Sequence, residues 1–208
     1  MTRILRIDAS ARRVGSHSRD LADQVVHAWL DKNPTDEVVV RDLVQDPPPH
    51  LSQPAIEAFL TAPEQRTLAQ QQAVALSDLL VDELLDADLL VLSVPMYNFG
   101  LPSALKAYLD HIARSGRTWT MGEDGQFRGL LQGKRAIVCL AYGASGYLGG
   151  AFAPADFVQG HLRTFLGFLG IADLTVLAVE GTTLDPEAVI RSTQAAQAAL
   201  KNLMAAGA

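Results

Sequence analysis

A group of flat and polar side chains follows a short apolar run near the middle of the chain. The run is Leu89–Val94, and the residues Met96, Tyr97, Asn98 and Phe99 come soon after it. Tyrosine and phenylalanine offer flat apolar surfaces that can lie along the edge of an aromatic ring. An asparagine amide can both donate and accept hydrogen bonds. This combination predicts a binding loop for a planar ligand with polar atoms.

A second candidate loop joins the first predicted strand to a helix, and it is rich in hydroxyl and basic groups. It carries Ser10, Ser16 and Ser18, together with Arg12 and Arg13. Exposed amides and the helix dipole favour an anion at such a junction, and the hydroxyls add donors. The loop therefore suits a phosphate monoester. The alternative is an ordinary helix cap, in which Ser16 or Ser18 bonds the helix amides and nothing else.

Five apolar runs alternate with helical patterns and predict an α/β fold with a doubly wound, five-stranded parallel sheet. Such sheets commonly have the strand order 2-1-3-4-5, which we adopt here; its switch point lies between strands one and three, and ligands bind at the carboxyl ends of the strands there. The loop after strand four, Ala141–Tyr147, lies beside that point, so three loops converge on one crevice. The predicted strands are Ile4–Ile7, Glu37–Val40, Leu89–Val94, Ala136–Leu140 and Leu174–Val179.

The helical patterns place the remaining elements. Positions 42–63 are predicted to be rich in loops, and Glu64–Leu85 is predicted to form one long helix because its leucines recur at helical spacing. Asp124 and Gly125 predict a hairpin turn. Further helices are predicted after Ser18, over Ser103–Ala113 with Leu105, Tyr108, Leu109 and Ile112 on its inner face, over Phe157–Leu169, and from Asp185 to about Met204.

The segment from Pro95 to Phe99, continued by Leu105, Lys106, Tyr108 and Asp110, resembles the flavin-contacting segment of the FMN-dependent NADH:quinone oxidoreductases known as azoreductases. The S-x-S element of the first loop resembles the phosphate loop of the same family. The resemblance extends over essentially the whole chain. It implies a single flavodoxin-like FMN-binding domain over positions 1–208. It also implies cofactor contacts at Ser10, Ser16, His17, Ser18, Met96, Tyr97, Asn98, Phe99, Ala141, Tyr142, Gly143 and Ala144.

The fourth-strand loop departs from the family pattern. Family members often carry S-R-G-G where this chain has Ala141-Tyr142-Gly143-Ala144. Backbone amides in this loop can still approach a ligand closely, helped by Gly143. At these four positions, this chain therefore lacks the hydroxyl, the guanidinium and one of the two glycines of the family pattern. Met121 stands where the family often has a tyrosine. We expect this difference to alter the stacking of substrates on that position.

The function implied by the resemblance is hydride transfer from NADH or NADPH to FMN, with two electrons then passed to quinones or azo compounds. The cofactor does the chemistry, so no catalytic side chain is assigned. The family also implies a homodimer with flavin at the subunit interface, where the Phe157–Phe168 and Ser115–Phe127 segments would cover the partner's flavin. Two alternatives stay open: a flavodoxin-type electron carrier without an NADH site, and a hydrolase resembling acyl-carrier-protein phosphodiesterase.

Composition narrows the remaining possibilities. The chain has 208 residues and a net charge of −6, which gives no support to nucleic acid or an anionic membrane as a partner. Cys139 is the single cysteine, and the five histidines have no metal-ligand spacing, so we expect neither a disulfide nor a metal. There is no signal peptide and no membrane-spanning run, which predicts a cytoplasmic location. The dinucleotide fingerprint is absent, and Gly129–Arg135 fails the P-loop pattern.

Overall fold

The chain folds around a five-stranded parallel sheet with the order β2-β1-β3-β6-β7. The computed structural model describes residues 1–206, so positions 207 and 208 of the predicted domain lie outside the described residues. Numbered within this sheet alone, the order is 2-1-3-4-5, which confirms the predicted topology. The strands are β1 (Arg3–Asp8), β2 (Glu37–Asp42), β3 (Leu89–Pro95), β6 (Arg135–Ala141) and β7 (Asp173–Val179).

Helices cover both faces of this sheet and create two hydrophobic cores. One core contains residues of α1 and α6, and the other contains residues of α3, α4 and α5. Every residue of β3 is buried, as expected for a central strand between two helical layers. The helices are α1 (His17–Leu30), α2 (Gln53–Leu60), α3 (Leu68–Asp86), α4 (Ser103–Ile112), α5 (Phe157–Phe168) and α6 (Pro186–Ala205).

The inner face of α4 is the one that its sequence predicts. Leu105, Tyr108, Leu109 and Ile112 are all buried in the larger core. Because these residues recur every three or four positions, they form one stripe along the helix. This stripe holds α4 against the sheet, directly after the β3 loop, and so anchors one end of that loop.

The predicted hairpin is present as the antiparallel pair β4 (Trp119–Met121) and β5 (Phe127–Gly129). Gly125 in the turn has a φ of 75°, a conformation that glycine adopts without strain. Gly129 approaches the α5–β7 connection so closely that a Cβ atom there would lie 2.1 Å from the backbone nitrogen of Gly170. The hairpin is therefore seated on the connection after α5 by a contact that requires glycine.

Two predictions in the region before β3 are wrong. The segment predicted to be rich in loops contains α2, which begins after Ser52, whose side chain accepts a hydrogen bond from the amide of Ala55. The long helix predicted from position 64 is interrupted, because a 3-10 turn over Pro63–Gln65 is followed by an extended residue at Arg66. Only then does α3 begin, with a capping box at its start.

Candidate functional site

A cleft of about 270 Å³ opens at the carboxyl ends of β1, β3 and β6, where the sequence analysis places the three binding loops. The first loop, over positions 10–18, contributes six of its residues, and the β3 loop contributes its first two. The segment after β7 adds two threonines. The lining residues are Ser10, Arg12, Gly15, Ser16, His17, Ser18, Pro95, Met96, Tyr97, Ala141, Gly143, Thr182 and Thr183.

The first loop gathers its serines into one buried cluster. The hydroxyl of Ser16 donates to Ser10 Oγ at 2.9 Å, and Ser16 Oγ lies 3.4 Å from Ser18 Oγ. All three are buried, and Ser18 has no exposed surface. Ser16 is the residue that precedes α1, and His17 is its first residue. The predicted serine residues therefore come together at the amino end of a helix.

These serines do not act as an ordinary cap. Within residues 1–206, the side chain of Ser16 makes no hydrogen bond to an α1 amide. By contrast, α2, α3, α5 and α6 each begin with a side chain that accepts from a helix amide. The capping alternative is therefore not what the structure shows. The first amides of α1 keep their capacity to donate to an anion in the cleft.

The two arginines of this loop differ in position. Arg12 lines the cleft, where its charge favours an anionic ligand. Arg13 is exposed, and its Nη2 donates to Gln45 Oε1 at 3.3 Å. Arg13 is not among the residues that line the cleft within the described chain. Of the two arginines, Arg12 is therefore the one whose charge favours an anion in the cleft.

A buried charge network holds the first loop from behind, and the sequence analysis missed its central residue, Arg19. The guanidinium of Arg19 donates to the backbone oxygen of Ser10 at 2.8 Å and forms ion pairs with Asp8 and Asp42. Asp8 also accepts from the hydroxyl of Ser93 at 2.7 Å. The only sequence feature that pointed to this network was Asp8, which directly follows the first predicted strand. Arg19 therefore fixes the carbonyl next to the serine cluster.

The ion pair with Arg19 lowers the pKa of the Asp42 carboxyl. Hydrogen bonds from the Arg19 guanidinium lower the pKa of the Asp42 carboxyl to about 2, helped by the amide of Val44. Asp42 is thus ionised at neutral pH and remains a hydrogen-bond acceptor for Arg19. The network of Asp8, Arg19 and Asp42 is consequently a structural clamp on the loop.

The β3 loop forms a tight turn. Tyr97 and Gly100 exchange two backbone hydrogen bonds of 3.0 Å, and the residues between them, Asn98 and Phe99, have φ values of 48° and 69°. Asparagine tolerates this conformation, whereas phenylalanine is strained in it. Asn98 and Phe99 are exposed and lie outside the described lining of the cleft, while Met96 and Tyr97 lie within it.

The phenol of Tyr97 joins the β3 loop to the first loop. Its oxygen accepts a hydrogen bond of 3.0 Å from the backbone amide of Ala11. The residue is 40% exposed and lines the cleft. Tyr97 therefore combines a flat surface for a ligand with a hold on the loop that carries the serines.

The β6 loop presents only part of its predicted residues to the cleft. Ala141 and Gly143 line it, whereas the Ala144 carbonyl accepts from the amide of Gly181. The Tyr142 side chain is fully buried and points away, with its hydroxyl donating to Asp156 Oδ2 at 2.8 Å. Burial, with Asp156 beside it, raises the pKa of the Tyr142 phenol. Within residues 1–206, the Tyr142 side chain is therefore not part of the cleft lining, and any contact of Tyr142 with a ligand stays a prediction for its backbone.

Thr182 and Thr183 line the cleft, and the sequence analysis did not identify them. The amide and hydroxyl of Thr182 donate to the carbonyl of Tyr142, and the amide of Thr183 donates to the carbonyl of Gly143. They follow the last parallel strand, so the rule that ligands bind at carboxyl strand ends could have found them. They tie the β6 loop to the edge strand β7.

Other candidate chemistry is limited. Among residues 1–206, no group of three or more His, Cys, Asp or Glu side chains could hold a metal ion. Cys139 is buried in β6, where burial raises the pKa of its thiol. No helix in the described part of the chain combines the length and apolar character that a membrane crossing requires.

Comparisons with known proteins agree with this geometry. The family model described as "Flavodoxin-like fold" matches residues 2–204. A protein of Hydrogenovibrio crunogenus named FMN-dependent NADH:quinone oxidoreductase is 44% identical over 204 residues, covering 98% of this chain and 100% of that protein. A protein of the same name from Xanthobacter autotrophicus is 48% identical over 178 residues, covering 85% of each chain.

Solved structures share the fold. An azoreductase from Bacillus anthracis superimposes with a TM-score of 0.88 at 24% identity, over 98% of both chains. An FMN-dependent NADH-azoreductase from Bacillus anthracis, solved in complex with FMN, gives a TM-score of 0.83 at 22% identity, over 97% of this chain and 99% of that chain. The two curated relatives match this chain over 85–98% of its length, and the family model covers residues 2–204. The chain therefore belongs to the flavodoxin-like family of FMN-dependent NADH:quinone oxidoreductases.

Proposed function

We propose that the chain binds FMN with its phosphate at the amino end of α1. The observation that carries this proposal is the helix start without a side-chain cap, where Ser10, Ser16 and Ser18 are buried together at the cleft. A buried helix end without a capping side chain requires another acceptor for its amides. A phosphate ester supplies both acceptor oxygens and negative charge, and Arg12 lies close enough to line the same cleft. The donor set therefore fits FMN.

The remaining lining residues are suited to the ribityl chain and the ring. Met96 and Tyr97 offer an apolar wall from the β3 loop, and Gly143 allows close approach from the β6 loop. When bound, FMN supplies the hydride chemistry, accepting two electrons from NADH or NADPH and passing them to a quinone or an azo compound. The side chains bind and orient, and we assign none of them a proton to transfer.

We also propose a homodimer in the cytoplasm. The supporting feature is an apolar groove along α5, lined by Phe157, Phe165 and Phe168, with Phe157 64% exposed. Phe127 of the hairpin packs edge-on against Phe168 at 5.7 Å and extends the same surface. Exposed aromatic surface of this kind marks interaction sites. In a dimer it would close over the partner's flavin, as the family resemblance implies.

The purified protein tests the cofactor and the activity together. Acid-released flavin, identified by chromatography, should be FMN rather than FAD. Because one open cleft must seat the nicotinamide and the acceptor in turn, steady-state turnover of NADH with a quinone should give parallel double-reciprocal lines. Bound FAD, or lines that intersect, would contradict the proposal. Flavin binding without NADH turnover would favour the electron-carrier alternative.

The substitution Tyr97→Phe separates the two roles of this residue, the flat ring surface and the hydrogen bond to the first loop. The ring surface is retained, but the bond to the Ala11 amide is lost. A net hydrogen bond contributes about 0.5–1.5 kcal/mol, so FMN should bind about 2- to 13-fold more weakly. Riboflavin, which lacks the phosphate, should bind equally to both proteins. Fluorescence titration of both flavins measures this, and an equal loss for both would show that the hydroxyl acts on the ring site instead.

A further inference from the structure

A second cleft, of about 730 Å³, lies where α2, α3 and the α4–β4 connection meet, and it shares no lining residue with the flavin cleft. We call it the arginine cleft. It combines an apolar wall with three guanidinium groups and two carboxylates. The residues that matter here are Phe59, Leu60, Arg66, Asp78, Arg114 and Arg117.

Arg114 is the most buried of the three arginines, with only 3% of its surface exposed. Its Nη1 donates to Ser77 Oγ at 2.7 Å and lies 3.0 Å from Asp78 Oδ1, and its guanidinium carbon lies 4.3 Å from the centre of the Phe59 ring. No acceptor within residues 1–206 takes a hydrogen bond from its Nε or Nη2. A buried guanidinium normally uses its donors fully, so this one has donors left for a ligand in the cleft it lines.

Arg66 is held in place and also keeps free donors. Its Nε donates to the carbonyls of Ala58 and Thr61 at 3.0 and 3.2 Å. Its two terminal nitrogens have no acceptor in the described chain. These backbone bonds fix the side chain before any ligand arrives, which reduces the entropy that binding must overcome.

The charges of the cleft do not balance. Arg117 is paired with both Asp78 and Asp82, and Asp78 is shared with Arg114. Three guanidinium groups against two carboxylates leave one positive charge. Burial lowers the pKa of Arg114, and the charges of Arg66 and Arg117 lower it further. A monoanion would neutralise the cleft, whereas a phosphate ester would carry more charge than the cleft has to offer.

We propose that the arginine cleft is a binding site for a small aromatic carboxylate. A carboxylate is planar, carries one charge and accepts two parallel hydrogen bonds, which matches the free donors of Arg66 and Arg114. Phe59 and Leu60 supply apolar surface for the ring of such a ligand. This site is independent of the proposed flavin site, because the two clefts have no residue in common.

Calorimetric titration of the FMN-saturated protein with 2-naphthoate tests the proposal. We expect saturable binding, and 2-naphthamide, which lacks the charge, should bind at least about tenfold more weakly, since a charged hydrogen bond contributes about 1.5–3 kcal/mol. Arg66→Gln should cause a comparable loss while NADH:quinone turnover stays unchanged. Arg128→Gln, an exposed arginine on the hairpin, is the matched control and should bind 2-naphthoate normally.

A second variant, Arg66→Lys, keeps the charge and removes the planar fork, and it should give an intermediate affinity. Thermal unfolding followed by circular dichroism confirms that each variant is folded. The proposal is overturned if 2-naphthoate does not bind the folded wild-type protein, or if Arg66→Gln binds it as well as wild type. If NADH displaces 2-naphthoate and Arg66→Gln does not change its affinity, the ligand lies in the flavin cleft, and the proposal is likewise overturned.

Discussion

Ser16→Asp should abolish FMN binding while the protein remains folded. Ser16 immediately precedes α1 and lines the cleft, so an aspartate there can accept the free helix amides that we assign to the phosphate. The carboxylate also repels the phosphate. Two like charges about 4 Å apart at an effective dielectric of about 20 repel by roughly 4 kcal/mol. After screening, we expect at least about a 100-fold loss of affinity in a fluorescence-quenching titration.

The flavin-free variant should be at least as stable as wild type, because a new cap contributes about 0.5–2 kcal/mol to a helix. Ser52→Asp is the matched control, since Ser52 caps α2 at an exposed position and is not among the residues that line the cleft. It should leave FMN affinity unchanged. Ser18 is less suitable for this test, because it is the second residue of α1 and has no exposed surface. A folded Ser16→Asp protein that binds FMN normally would move the phosphate away from α1.

Arg19→Met should destabilise the protein by about 3–5 kcal/mol at pH 7, the range seen when one partner of a buried ion pair is removed. The Arg19 side chain is 11% exposed and pairs with Asp8 and Asp42; its loss would leave Asp42 without this counter-ion, whereas Asp8 would keep its ion pair with Arg6. Arg13→Met removes an exposed arginine from the loop that precedes α1 and should change stability by less than about 0.5 kcal/mol. Urea unfolding measures both variants.

The loss of stability caused by Arg19→Met should be smaller at acidic pH. The pKa of Asp42 is about 2 in the native protein against 3.8 for the free side chain. Because the native pKa is the lower one, ionised Asp42 contributes stability above about pH 4, and this contribution is lost as the pH falls toward 2. The shift corresponds to about 2 kcal/mol. The difference between wild type and Arg19→Met should therefore be smaller at pH 3 than at pH 7, and an equal difference at both would contradict this role of Asp42.

The amino-acid sequence by itself determined the strands of the main sheet and the chain segments at its carboxyl edge, whereas the strand order came from the resemblance to a known family. Buried parallel strands such as β3 are continuous apolar runs, and the inner face of α4 repeats at helical spacing. Both patterns are local, so they can be recognised without knowing what each element packs against. With the strand order of that family, the loops after β1, β3 and β6 must meet at one edge of the sheet.

Local patterns were less informative where short elements depend on single residues. Ser52 and Pro54 are residues typical of a helix start. The helix that follows, α2, has only eight residues, too few for its hydrophobic periodicity to stand out. The extended conformation of Arg66 separates the 3-10 turn from α3, and the capping box of Thr67 and Gln70 sets the true beginning. These boundaries depend on a few hydrogen bonds that hydrophobic periodicity does not reveal.

The tertiary structure alone decided which atoms of the loops face the cleft. Tyr142 lies in a predicted binding loop, yet its ring stacks on Tyr147 at 4.9 Å and its hydroxyl reaches Asp156. Arg19 clamps Ser10 only because β1 and β2 bring Asp8 and Asp42 side by side in the sheet. The direction of a side chain and the partners of a buried charge depend on elements that are distant in sequence. Their register in the folded chain is what brings these groups within hydrogen-bonding distance.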